Sequence, residues 1–355
     1  MKISKKLNRS FFIFWLLMFL SIALGRNDIY INNYILWGYD SNVSKIAASE
    51  PLAYNSSPYI SFKPSVKTSF QFFKNKNRKT KISFSSKINH YFQVKQKSNN
   101  AFYLNISQSI GNYQLLKFYH AYVNNIYLRE FIDQDYIVSS NIYSGDECHF
   151  DLIKYRLSYE SPYFGDKEKL EFSVYNELQY YSPEFTEYDL NIIGANVKYF
   201  TKRSENKYSI QIGYASADSL FSHTQNLLTN DFGGNTLRVV DRSYEEVSVK
   251  FSYDMPLSNK NVLGFSLSRK QRKYLSAIDF EIDGVSIIDQ LHIDREHRDI
   301  VLGVWCTFKN FNRRNKLSFS YRQKKTISPY SWVEDLKSFS KFNLEHVIYL
   351  KKTKI

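Results

Sequence analysis

The chain has 355 residues, a net charge of +14, 17% aromatic residues with 29 Tyr and 28 Phe, and two Cys. Two thiols exclude a disulfide framework, and beyond the first 25 residues no apolar run approaches the ~18 residues of a spanning helix, which excludes a helical membrane protein. The positive balance would suit nucleic acid or an anionic surface, but no nucleic-acid motif interleaves the basic residues, so nucleic acid is not an expected partner. Abundant aromatics with a negative mean hydropathy suit strands having one greasy and one wet face.

The first segment, MKISKKLNRS, carries Lys2, Lys5, Lys6 and Arg9 and no acid. FFIFWLLMFLSIAL follows almost without a polar group, and Ala23 and Gly25 offer a small-x-small cleavage site. Basic, apolar and small regions in that order describe a secretory signal peptide, with an uncleaved anchor as the alternative. The expectation is a cleavable signal peptide over residues 1–25 and a single domain over residues 26–355. Without the four leader charges, +14 becomes +10.

WGYDSNVSKI (37–46) reads as the first strand. If Trp37 and Tyr39 face lipid, Asp40 and Asn42 point into an interior, for hydrogen bonding or for contact with a solute. The string Gly38, Tyr39, Asp40, Ser41, Asn42, Val43 resembles the opening strand of outer-membrane barrel porins often encoded near exopolysaccharide functions. It also resembles the start of the C-terminal barrel of the surface lipoprotein assembly modifiers. What the resemblance implies is a barrel with a transport-like or assembly-related function.

SPYISFKPSVKTSFQFF (57–73) then sets Ile60, Phe62, Val66, Phe70 and Phe72 against Lys63, Ser65, Lys67, Ser69 and Gln71. KISFSSKINHYFQV (81–94) sets Ile82, Phe84 and Ile88 against Lys81, Ser83 and Lys87. Period two of this kind is the strand signature. It recurs over 101–110, 170–181 and five segments between 208 and 323, and more noisily near 35–44, 113–128, 147–160, 189–200 and 342–351. About fourteen strands are expected, within a range of 12–16. Pro64 interrupts one of them and should mark a bulge.

Short connections, such as 111–112, 161–169 and 255–261, follow even strands. Long ones, at about 46–57, 129–146, 216–243, 275–297 and 324–340, follow odd strands. Loops sorted by parity indicate an all-β, up-and-down antiparallel transmembrane β-barrel whose polar face looks inward. A soluble sandwich, the alternative, has no reason to sort its loops. Phe72, Phe73, Tyr199, Phe200, Tyr208, Tyr253 and Phe308 sit beside the short turns, where an aromatic girdle belongs.

The inward parity is basic: Lys63, Lys67, Lys81, Lys87, Lys154, Arg156, Lys198, Lys250, Lys270 and Arg322, opposed by Glu171 and Glu177. Such a lining would favour anions; a solvated face with internal salt bridges is the other reading. AIDFEIDGVSIIDQLHIDRE (277–296) has calcium-loop offsets at Asp279, Glu281, Asp283 and Gly284, but Gln290 stands where a bidentate Glu belongs. A strand pair turning at Asp283–Gly284 fits better, and its acidic surface would touch cation-bridged lipopolysaccharide. No H-x-S occurs among the seven His, and Ser222–His223 with Asp218 and Asp231 in one loop is weak ground for an enzyme. No catalytic residue, metal or cofactor is expected. The closing FNLEHVIYLKKTKI would be read by the barrel-assembly machinery at Tyr349 or Leu350, or through a different signal. The functional expectation is a narrow, anion-preferring diffusion channel for small anionic or sugar-like solutes, in contact with outer-membrane lipid and lipopolysaccharide. The alternative is a non-conducting barrel for binding or surface assembly of protein or polysaccharide.

Overall fold

A computed structural model describes residues 28–354, except 44, 46–55, 71–78, 112, 132–145, 165–166, 183–187, 221–240, 259–260, 277–278, 283–284, 289, 311–312 and 351–352. The signal-peptide expectation, Phe72, Phe73 and the Ser222–His223 pair lie outside the described residues. In chain order the wall begins with β1 (Asp28–Asp40), β2 (Ser57–Phe70), β3 (Thr80–Tyr91), β4 (Asn99–Gly111), β5 (Gln114–Phe131), β6 (Asp146–Glu160) and β7 (Glu168–Tyr181). It continues with β8 (Leu190–Arg203), β9 (Asn206–Ser219), β10 (Tyr244–Pro256) and β11 (Val262–Tyr274). A separate hairpin, β12 (Asp279–Ile282) with β13 (Val285–Ile288), stands in the next loop, as the alternation there predicts. β14 (Glu296–Asn310), β15 (Arg313–Ile327), a short helix α1 (Ser331–Lys337), β16 (Phe339–Tyr349) and β17 (Thr353–Lys354) complete the chain.

Among the described residues fourteen strands, β1–β11 and β14–β16, pair antiparallel with their neighbours, and β16 returns to β1 to close the sheet. Closure leaves no edge, the condition for strands to stand in hydrocarbon. The outward parity is apolar around the wall: Trp37, Phe62, Ile88, Leu157, Val174, Ile212, Leu302 and Phe319 are all exposed, Val174 at 57%. An apolar belt of this extent is unstable against water and stable against lipid. The structure is therefore a transmembrane β-barrel with its polar parity inside.

Three local expectations need correction. β1 starts at Asp28 and ends at Asp40, so Ser41–Val43 lie beyond the strand rather than within it. The upstream half, DIYINNYIL, was hidden because Asn33 faces out while Tyr34 and Leu36 face in, which breaks the alternation. Pro64 causes no bulge: the pairs Phe62↔Ile88 and Ser65↔Ser85 keep one register across it. A ladder can lose one N–H donor without gaining a residue, and the actual irregularities sit between Ser109 and Gly111 and between Val123 and Arg129. Phe200 does not join the girdle, because its parity is inward and the Lys198 ammonium lies 4.2 Å from its ring centroid. Tyr208 and Tyr253 do face outward, 4.9 Å apart.

Candidate functional site

The interior is built by every second residue of each strand, so the wall's register decides which side chains meet. All twelve charged candidates, Lys63 to Arg322, fall on the parity opposite the lipid-facing residues. They divide into two groups.

On the β2–β3 wall, Lys63, Lys67, Lys81 and Lys87 form no ion pair with any described residue. The pairs Phe62↔Ile88 and Ser65↔Ser85 bracket Lys63 and Lys87 and set them side by side. Lys63 rests on aromatic faces instead, 4.6 Å from the Tyr103 ring and 5.8 Å from that of Tyr34. Arg156 is similar, 5.1 Å from the Tyr119 ring.

Elsewhere most of the bases are neutralised, Lys198 and Lys250 being the candidates with no ion pair to a described residue. Lys154 pairs with Glu177 at 2.8 Å. Glu171 holds Lys117 at 2.8 Å, and Glu160 holds both Lys117 and Lys169 at 2.6 Å. Glu246 takes Lys270 at 2.9 Å and Arg272 at 2.8 Å, and Arg322 donates through Nε to both oxygens of Asp299. Sequence reading missed Glu160, Glu246 and Asp299 as partners. Their inward parity was legible, but which cation stood opposite required the register.

The opening motif serves the seam. Gly38 lies under Tyr59, whose ring carbon Cζ would stand 2.4 Å from any Cβ there, so only glycine lets the ring lie flat on the wall. The Tyr59 hydroxyl donates to Glu345 of β16 at 2.6 Å. Asp40 accepts from Lys341 at 2.8 Å and from the Asn42 backbone N–H at 3.1 Å. Ser41 and Phe342 exchange hydrogen bonds of 3.0 and 2.8 Å, and the Asn42 amide donates to Ser340 O at 3.2 Å. Tyr39 faces outward beside Phe342, with ring centroids 5.9 Å apart, and Val43 is buried.

At the long-loop end the interior is packed. Leu190, Ile192, Ala215, Ala217, Tyr244 and Tyr274 form one buried cluster, and Cys148, Phe150 and Tyr181 another. Loop residues enter from above: Arg242 stacks 5.0 Å from Tyr181 and 5.2 Å from Tyr188, and donates to Tyr188 O at 3.0 Å. Arg295 lies 3.8 Å from the Tyr274 ring. His292 stands 5.4 Å from Tyr274 and is 4% exposed. Burial, then the charges of Arg295, Arg242 and Lys337, hold its imidazole well below the ordinary range. The described parts of the two longest loops, residues 241–243 and 290–295, thus pack against this end of the interior.

Below this mouth, one side of the lumen opens into a bay of about 330 Å³. It is concave because its side chains are short: Ser252, Ser266, Gly303, Ser320 and Asn343 form one continuous cross-strand row. The next row carries Trp305, whose ring lies over Gly264 and would overlap any Cβ there. Lys250 and Lys316 complete the lining, Lys316 standing 5.1 Å from the Trp305 ring.

No family model matches the chain, and no curated protein matches it. Solved structures do. The outer membrane channel DcaP of Acinetobacter baumannii is 9% identical, with 91% of this chain and 97% of that one covered and a TM-score of 0.46. The deltaS2 mutant of the TodX monoaromatic hydrocarbon channel is 10% identical, with 91% and 90% covered and a TM-score of 0.43. The translocator domain of the autotransporter NalP from Neisseria meningitidis is 12% identical, with 92% and 89% covered and a TM-score of 0.34. Likeness at this level says nothing of solute or partner.

Proposed function

We propose that the chain is an outer-membrane barrel acting as a narrow diffusion channel that prefers small anionic or sugar-like solutes. The observation that carries this is the uneven lumenal charge. Acids on the β5–β7 and β10–β16 walls already hold bases, whereas Lys63, Lys67, Lys81 and Lys87 share one wall without an acid. Like charges on neighbouring positions of one wall repel, and a passing anion relieves that repulsion. Rings or walls of one sign at close quarters set selectivity. Outside the barrel, the apolar belt meets outer-membrane lipid and lipopolysaccharide, and the barrel-assembly machinery inserts the chain.

The packed mouth favours a second reading: a barrel that conducts nothing and presents its loops to a protein or polysaccharide. Single-channel current under a salt gradient separates the two. Steady conductance with an anion-selective reversal potential is expected, and Lys63→Gln with Lys87→Gln moves that potential toward zero. Insertion without conductance would exclude the open channel and leave the loops as the working surface.

A further inference from the structure

The bay beside Trp305 joins small polar residues to an indole and two lysines. Within it, two adjacent cross-strand rows hold mainly hydroxyls, an amide, glycines and one indole. Its volume of about 330 Å³ lies at the small end of ligand pockets, which run from about 300 to 1,000 Å³, and suits a mono- or disaccharide.

The indole, the serines and the two lysines each have a matching part on an acidic sugar. The Trp305 ring is fixed on the wall by its fit over Gly264 and by donation from Nε1 to Asp254 at 3.2 Å. A flat, immobile indole offers an apolar surface to the C–H face of a pyranose at little entropic cost. Ser252, Ser266 and Ser320 supply donors and acceptors along one row for ring hydroxyls. Lys250 and Lys316 supply charge for a carboxylate, and charge-assisted hydrogen bonds are the strong ones. Neither lysine forms an ion pair with a described residue. Glu345, also in the lining, already accepts from Tyr59 at 2.6 Å.

We infer that this bay is a binding subsite for a carboxylated sugar, stacked on Trp305 with its carboxylate on Lys316 or Lys250 and its hydroxyls on the serine row. This rests on the reading of the interior as a solute path, and it names the solute class. The site lies below the packed mouth, on the side of the interior toward the short turns.

Calorimetric titration of the refolded barrel in detergent tests it, with glucuronate, glucose and acetate as probes. Glucuronate should bind saturably and more tightly than either of the others, since only it uses both indole and ammonium. Trp305→Ala and Lys316→Gln should each weaken it by about tenfold, as expected for one charge-assisted or stacking contact, and Trp305→Phe should restore most of the loss. Ser320→Leu, which fills the bay from a row that makes no ion pair, should abolish binding in a barrel whose heat-modifiable gel shift proves it folded. Equal binding of glucose and glucuronate, no saturable binding, or glucuronate binding indifferent to Trp305→Ala would each overturn the inference. Titration requires no conductance, so a barrel that conducts chloride without binding glucuronate refutes the subsite alone. A barrel that binds glucuronate but never conducts refutes the channel alone.

Discussion

Asp40 is the residue on which the closing seam turns. Its carboxylate is 7% exposed and its partner Lys341 11%, at 2.8 Å, so both charges are held away from water. Removing one partner of such a pair strands the other, which typically costs about 3 kcal/mol or more. Asp40→Ala should therefore lower the unfolding free energy of the refolded barrel in urea by about that amount. Adding Lys341→Met should recover part of the loss, and no change in the single variant would deny the pair its role. Parity alone puts Asp40 inside, where it lies, and Asn42, which stands beyond the end of β1, is buried as well. Their partners Lys341 and Ser340 are some three hundred residues away in sequence. Nothing in a single sequence announces that pairing, because it exists only once the last strand meets the first. The same holds for the lumenal acids: Glu171 and Glu177 were visible as inward residues, while Glu246 and Asp299 became meaningful only through the bases beside them.

At the scale of elements, what could be read was whatever repeats. Alternation gave the strands, and loop length sorted by parity gave the inward direction, because hairpins of one kind gather at one end of an up-and-down sheet. Strand ends were less legible. β1 was placed late because its lower half mixes polar and apolar residues on both faces, and Phe200 was misassigned because a girdle was inferred from nearness to a turn instead of from parity. β17 could not be foreseen: it pairs Lys354 with Tyr30 and Thr353 with Ile31, extending the seam past Tyr349. Pro64 illustrates a propensity overruled by context, since β2 is held by β1 on one side and β3 on the other across that position. Its cost should be one missing ladder hydrogen bond and nothing else. Pro64→Val, with a β-branched residue on the outward parity, should stabilise the barrel by about 1 kcal/mol. A destabilised variant would mean that the proline's fixed φ is needed there after all.

For the whole molecule, ion-paired clusters (Glu246 with Lys270 and Arg272, Asp299 with Arg322, Asp40 with Lys341) stand between the bay and the packed mouth, and the mouth holds a buried titratable group. Loop segments pack against it by stacking: Arg242 on Tyr181 and Tyr188, Arg295 on Tyr274, with His292 buried against the same tyrosine. His292 faces Arg295, Arg242, Lys337 and Asp241, and in this setting it stays neutral. Its folded-state affinity for protons is depressed, so the open or unfolded loop binds the proton more readily. The stability this neutral ring contributes is complete above its ordinary pKa of 6.5 and is lost as pH falls below it. A proton taken up by a seated His292 would also add a third positive charge beside two guanidiniums, a repulsion that outward movement of the loop would relieve. In the proposed channel, acidifying the long-loop side from pH 7.5 to 5 should therefore raise the open fraction, with the rise beginning near 6.5. His292→Phe keeps a ring against Tyr274 without a titratable nitrogen and should flatten the response. An open fraction that falls with acid, or a response that persists in His292→Phe, would place the gate elsewhere in the mouth.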